Sequence, residues 1–77
     1  MEDSIQQYDM TGIRCPMPIV QLSQLTATRA PGDELIVAAD DPAFAPDVQA
    51  WCRRTGHELV ALEESGGVTR AHLRLSA

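Results

Sequence analysis

The sequence feature that most constrains the fold is the alternation along the chain of short apolar runs, typical of strands, with segments whose apolar residues recur at helical spacing. Glycine and proline turn signals separate these segments. Residues 4–10 have the pattern of a weak strand that closes at Thr11-Gly12. The segment from Pro16 to about Thr28 places apolar side chains at helical spacing. These positions are Ile19, Leu22, Leu25 and Thr26. The continuous apolar run Glu34–Ala39 is typical of a strand in the middle of a sheet.

The second half of the chain predicts a helix followed by two strands. Asp41 suits the N-cap of this helix, Pro42 its first residue and Gly56 its end. Five residues between Asp41 and Gly56 share one helix face, and four of them are apolar. They are Phe44, Val48, Trp51, Cys52 and Thr55. Asp40 and Asp41 could form a paired-carboxylate site, but Asp40 is better interpreted as a turn residue at the end of the preceding strand.

The last two strands are predicted at Leu59–Leu62 and Val68–Leu75, joined by the hairpin signal Gly66-Gly67. The final strand alternates between two faces. Its inward residues are Thr69, Ala71, Leu73 and Leu75, and its outward residues are Arg70, His72 and Arg74.

The complete order is β-α-β-α-β-β, which predicts an α/β fold. Right-handed crossovers place both helices on one face of the sheet, so the molecule is expected to be a two-layer sandwich. The last strand must run antiparallel to its neighbour. Placed between the second and third strands, it gives a mixed four-stranded sheet of order 1-2-4-3. With 77 residues, the chain fits a single domain, 1–77.

The charge balance excludes several classes of partner. The net charge is −5, the chain has no lysine, and its six basic residues are scattered arginines. Direct nucleic-acid binding needs a basic patch, so a partner with a basic surface is the better expectation. No apolar run approaches the ~20 residues that a membrane span needs. The N-terminus Met-Glu-Asp-Ser lacks the features of an export signal, so we expect a cytoplasmic protein.

The segment with the strongest chemical signal is Gly12-Ile13-Arg14-Cys15-Pro16-Met17-Pro18. Pro16 keeps the preceding cysteine out of helical geometry and suits a first helical residue, so Cys15 is predicted at the helix N-cap. Pro18 restricts Met17 in the same way, so the helix could instead begin at Pro18. In either case the sulfur lies near the positive end of the helix dipole.

This setting favours a thiolate at Cys15. The first-turn amides of Met17 and Ile19 can point towards the sulfur, Arg14 adds a positive charge, and the prolines make the backbone rigid. Because the thiolate is the nucleophile, Cys15 is the candidate catalytic residue. The alternative is a small buried apolar cysteine, which is common near helix starts but gains nothing from so rigid and polar a turn.

From these residues the chain resembles the TusA/SirA family of small sulfur-carrier proteins, marked by a Cys-Pro-x-Pro motif that opens the first helix. The similarity runs nearly end to end. It includes Tyr8-Asp9, the segment 12–18, Pro31-Gly32-Asp33, Ala39-Asp40-Asp41-Pro42-Ala43, Asp47, Trp51-Cys52 and Gly56-His57-Glu58-Leu59-Val60. The resemblance implies the β-α-β-α-β-β sandwich and a sulfane sulfur carried on Cys15 as a persulfide.

The resemblance also implies partners. A cysteine desulfurase or a rhodanese would supply the sulfur and an acceptor protein would remove it, with no cofactor; we expect a monomer when no partner is bound. It implies that Asp41 lies near Cys15 and contacts partners. The family often has basic residues on the first helix, whereas this chain has Gln21, Ser23 and Gln24. The choice among tRNA thiolation, maturation of molybdenum-cofactor enzymes and sulfur oxidation stays open.

Other candidates carry weaker signals. Cys52 is interpreted as a core residue, and neither His57 nor His72 has a matched ligand set, so no metal is expected. Two other functions stay open: a non-catalytic interaction domain with Cys15 only as a helix cap, and a redox switch that pairs Cys15 with Cys52. The switch needs the two Cα atoms within about 7 Å.

Overall fold

The computed structural model describes residues 5–13 and 17–76, with the backbone alone at Met17 and Pro18. The elements follow the predicted β-α-β-α-β-β order. They are β1 (Gln6–Asp9), α1 (Met17–Thr26), β2 (Glu34–Ala39), α2 (Phe44–Thr55), β3 (Glu58–Ser65) and β4 (Val68–Arg74).

The strands form a mixed sheet of order β1-β2-β4-β3, which confirms the predicted topology. β1 is parallel to β2, while β4 is antiparallel to both β2 and β3. One row of register partners crosses the whole sheet. It runs Tyr8, Val37, Ala71, Leu62. β2 is therefore a central strand that is hydrogen-bonded on both sides.

The core lies between one face of the sheet and the two helices. Alternate residues of β2 and β4 are buried, with Val37 and Ala71 both at 0% exposure. Leu22 of α1 and Trp51 of α2 belong to the same buried cluster. Both helices therefore pack on the same face of the sheet, as predicted. The inward residues predicted for the last strand, including Leu75 just beyond its end, are all buried.

The start of α2 differs from the sequence prediction. The helix begins at Phe44 with Ala43 as its N-cap, so Asp41 is not the cap and Pro42 is not the first helical residue. The Asp41 Oδ1 atom accepts from the Ala43 N–H at 3.0 Å, and the Asp41 carbonyl accepts from the Phe44 N–H at 2.9 Å. These bonds close a turn before the helix can start, because aspartate competes for nearby backbone amides.

The other helix boundaries are close to the predictions. Pro16 lies outside the described residues, and α1 ends at Thr26 rather than Thr28 because the Thr28 N–H already bonds to the Leu25 carbonyl in a tighter turn. Gly56 ends α2 with φ of 85° and donates its N–H to the Cys52 carbonyl, as expected of a glycine cap. Thr55, predicted on the buried face, is exposed, and its hydroxyl donates to the Trp51 carbonyl at 2.8 Å.

The hairpin explains why the third strand is longer than predicted. Gly66 and Gly67 have φ of 58° and 80°, the positive values that a tight two-residue hairpin turn needs. The turn brings Ser65 opposite Val68, so β3 extends through polar residues that the apolar pattern alone did not include. β3 lies at the edge of the sheet, where polar side chains stay in solvent.

Candidate functional site

The structure describes part of the predicted site. Arg14, Cys15 and Pro16 lie outside the described residues. The backbone of α1 begins at Met17, so Met17 belongs to the helix rather than preceding it. Ile19 is half-buried and packs against the core. In a helix with this start, the first-turn N–H groups of Met17 and Ile19 lack an intrahelical acceptor, and Pro18 has no N–H.

The segment that leads into the cysteine motif is held by backbone contacts. Met10 is buried at 3% exposure, and its N–H donates to the Ala38 carbonyl of β2 at 2.7 Å. The Ile13 N–H donates back to the Met10 carbonyl at 3.3 Å, which closes a turn. Gly12 occupies the third position of that turn with φ of 84°, a conformation that side-chain-bearing residues rarely adopt. The chain thus has a defined path up to Ile13.

Asp9, which directly precedes this turn, stabilises it with its side chain. Its Oδ1 atom accepts from the Thr11 N–H at 2.9 Å and from the Thr11 hydroxyl at 2.6 Å. These hydrogen bonds favour the anionic carboxylate and lower the pKa of Asp9 below its ordinary value. The Asp-x-Thr spacing is a signal for such a turn that the sequence prediction did not use.

Asp40 contacts the same segment from a distant part of the chain. Its Oδ1 atom accepts from the Gly12 N–H at 2.9 Å, although the two residues are 28 positions apart. Asp40 directly follows β2, so the bond joins the end of the central strand to the loop before Cys15. The sequence pattern indicates a local turn residue at Asp40 and does not predict this contact, because the partner is remote in sequence.

Asp41, the predicted partner-contact residue, follows Asp40 and is half-buried. Because β1 and β2 are parallel, their carboxyl ends lie at the same edge of the sheet. The Asp40–Gly12 bond joins the loops that leave these two strands. Asp41 therefore belongs to the loop that is bonded to the segment 10–13, while its own Oδ1 atom is used by the turn before α2.

The exposed side of α1 is uncharged. Gln21 and Gln24 line a cleft between α1 and β1, together with Tyr8 and Leu25. Ser23 is also exposed but lies on the side of α1 towards α2, where its Oγ atom accepts a hydrogen bond from Trp51 Nε1 at 3.0 Å and so ties α1 to α2. A partner that binds along α1 would contact the side-chain amides of Gln21 and Gln24, where members of the TusA/SirA family often have basic residues.

Cys52 has the properties of a core cysteine. It is 5% exposed and unpaired by any disulfide. Burial raises the pKa of its thiol, so the fraction of reactive thiolate is small. Its neighbour Trp51 lies against His57 with ring centroids 5.1 Å apart. The alternative of a redox switch that pairs Cys52 with Cys15 involves a residue, Cys15, that lies outside the described part of the chain.

The histidines have structural partners. The His57 Nδ1 atom accepts from the Ser76 N–H at 3.0 Å, and His72 Nε2 lies 2.7 Å from Glu34 Oε1. Within residues 5–13 and 17–76, no group of three histidine, cysteine, aspartate or glutamate side chains is placed to hold a metal ion. Across the same residues, neither helix has the length and apolar character needed to span a bilayer.

Comparison with known proteins agrees with this fold. The family described as "Sulfurtransferase TusA" matches residues 6–75. Two proteins of Neisseria meningitidis, from serogroups A and B and each named "Putative sulfur carrier protein", are 42% identical over 63 residues, covering 82% of this chain and 85% of each relative. The crystal structure of a SirA-like protein from Desulfitobacterium hafniense superposes with a TM-score of 0.79 at 20% identity, covering 95% of this chain and all of that chain. The chain belongs to the TusA family.

Proposed function

We propose that this protein is a sulfur carrier that accepts a sulfane sulfur on Cys15 as a persulfide and passes it to a partner protein. The observation that carries the proposal is the family match over residues 6–75, within which Cys15 stands two residues before the first turn of α1. The relatives from Neisseria named as sulfur carriers support the same role.

Both transfer steps are thiol exchanges without net oxidation. In loading, the Cys15 thiolate attacks the outer sulfur of a donor persulfide, R–S–SH. A new bond forms between Cys15 Sγ and that sulfur, the donor S–S bond breaks, and the donor leaves as the thiolate R–S⁻. In unloading, an acceptor thiolate attacks the outer sulfur and Cys15 leaves as a thiolate. No cofactor is required.

The start of α1 is suited to this chemistry. Two Cα–Cα steps keep the Cα of Cys15 within about 7.6 Å of the Cα of Met17, so the sulfur is close to the positive end of the helix. The first-turn amides of Met17 and Ile19 and the charge of Arg14 favour an anionic thiolate or persulfide. We assign to Pro16 and Pro18 the role of limiting the backbone freedom of the motif.

The surface near the motif indicates the character of the partners. Asp9 at the end of β1 and Asp40 and Asp41 in the loop after β2 lie at this edge of the sheet, and the whole chain has a net charge of −5. A donor or acceptor with a basic surface around its own reactive group would therefore bind best. We propose Asp41 as a contact for such a partner and a cysteine desulfurase or rhodanese as the donor.

The test is sulfur loading followed by mass spectrometry. The protein is incubated with a cysteine desulfurase and L-cysteine, and the intact mass and peptides are measured without reductant. We expect the mass of one sulfur atom to be added at Cys15 in the wild type and in Cys52→Ser, but not in Cys15→Ser. If no adduct forms under conditions that load a proven carrier, the chain is a non-catalytic interaction domain instead.

A further inference from the structure

We infer that Asp40 is a positioning residue for Cys15: its carboxylate, acting through the Gly12 N–H, holds the segment that leads into the Cys-Pro-Met-Pro motif. The bond is 2.9 Å long and joins residues 28 positions apart. The inference rests on the proposed function, because it concerns the cysteine assigned there as the sulfur carrier.

Asp40 is attached to a rigid part of the molecule. It directly follows Ala39, which is fully buried at the end of β2. β2 pairs with β1 on one side and with β4 on the other, so its end has little freedom to move. A side chain fixed at this point can hold a neighbouring loop in one position, which is what a reactive group on a loop needs.

With this contact, each of the four consecutive backbone N–H groups from Met10 to Ile13 donates a hydrogen bond. The Met10 N–H donates to the Ala38 carbonyl, the Thr11 N–H to Asp9, the Gly12 N–H to Asp40 and the Ile13 N–H to the Met10 carbonyl. Of the four acceptors, only the Ala38 carbonyl and the Asp40 carboxylate come from β2 and its end. The bond from Gly12 to Asp40 is the later of these two attachments along the chain, and Gly12 lies three residues before Cys15.

The carboxylate has a second, opposing effect that the experiment must separate. A negative charge near the motif disfavours a thiolate, whereas correct placement of the sulfur at the helix start favours it. Asp40→Asn removes the charge but keeps an Oδ1 acceptor for Gly12. Asp40→Ala removes both. The difference between these two variants measures the effect of the side-chain acceptor with the charge absent in both.

The experiment measures the Gly12 amide and the reactivity of Cys15 separately. Hydrogen exchange followed by NMR reports the protection of the Gly12 N–H. The pH dependence of Cys15 alkylation by iodoacetamide, resolved by peptide mass spectrometry, gives the thiol pKa and rate. Asp33→Ala is the matched control, because Asp33 accepts from the Ala30 N–H at 3.1 Å in the turn before β2, at the opposite end of that strand.

We expect Asp40→Asn to keep the protection of Gly12 and to alkylate at least as fast as the wild type. Asp40→Ala should lose that protection, show a higher pKa for Cys15 than Asp40→Asn, and react roughly tenfold more slowly than Asp40→Asn near neutral pH. Asp33→Ala should match the wild type. Protection of the β2 amides verifies the fold; if Asp40→Ala loses it, Asp40→Leu, which is closer in size to asparagine and also has no acceptor, takes its place.

Equal Cys15 pKa values and rates in the alanine and asparagine variants would overturn the inference. So would an effect of Asp33→Ala as large as that of Asp40→Ala, since it would reflect general destabilisation. Neither readout uses a sulfur donor. A wild-type protein that takes up no sulfur would therefore overturn the proposed function, while the alkylation comparison would still decide the role of Asp40.

Discussion

Replacing Cys52 by serine should destabilise the protein without abolishing sulfur loading. Cys52 is 5% exposed and sits beside Val48 and Trp51 on the buried face of α2. A hydroxyl in an apolar environment costs about 1–3 kcal/mol. Here the Val48 carbonyl, one helical turn back, offers an acceptor, so we expect a loss in the lower part of that range, about 1–2 kcal/mol.

This loss is large for so small a domain. At 0.05–0.15 kcal/mol per residue, a chain of this length has a total unfolding free energy of about 4–12 kcal/mol. Each kcal/mol lowers the Tm of a domain of this size by about 4–8 °C, so Cys52→Ser should melt about 4–16 °C below the wild type. Thermal and urea unfolding followed by circular dichroism measure the change.

Cys52→Ala is the matched control, because it removes the sulfur without adding a polar group. If polarity is the cause, the serine variant should be less stable than the alanine variant. A serine variant as stable as the wild type would refute the argument that Cys52 lies in an apolar environment. A stable serine variant that cannot be loaded with sulfur would make Cys52 a resolving cysteine rather than a core residue.

Three further predictions concern the cysteine motif and the face of the sheet that the helices do not cover. Cys15 should react with iodoacetamide faster than Cys52 in the folded protein, because burial raises the pKa of Cys52; equal rates by peptide mass spectrometry would count against the assigned site. Pro16→Ala should raise the pKa of the Cys15 thiol and slow loading with little loss of stability, as followed by thiolate absorbance in a Cys52→Ser background; an unchanged pKa would contradict the helix-dipole argument. The hydrogen bond with His72 lowers the pKa of the Glu34 carboxyl below its ordinary value, so the contribution of this bond to stability is present above that ordinary value and is lost as the pH falls through the folded-state pKa. Urea unfolding across this acid range should show a shallower loss for Glu34→Gln than for the wild type, and identical pH profiles would refute this assignment.

The sheet topology followed from the sequence because several local signals agreed. The Gly66-Gly67 turn fixed the last two strands as a hairpin, and the alternation in Val68–Leu75 identified its buried face. These signals depend on neighbouring residues only, so they can be read without the structure. Right-handed crossovers then left few arrangements of the remaining elements.

The details that could not be predicted depend on competition or on distant contacts. Asp41 had the residue type of an N-cap, but its carboxylate bonds within a turn and delays the helix to Phe44. The polar end of β3 pairs because the hairpin turn sets its register, not because its residues prefer a strand. The Asp40–Gly12 bond joins two loops that only the folded sheet brings together.

The seam between the two helices also gives the protein an internal optical probe. Trp51 is the one tryptophan of the chain, it is 2% exposed, and its indole N–H is bonded to Ser23 of α1. Any displacement of α1 from α2 breaks this bond and admits water to the indole, which shifts tryptophan emission to longer wavelength. Docking of a donor or acceptor that moves the motif helix can therefore be followed in real time on the unlabelled protein, provided that the partner has no tryptophan.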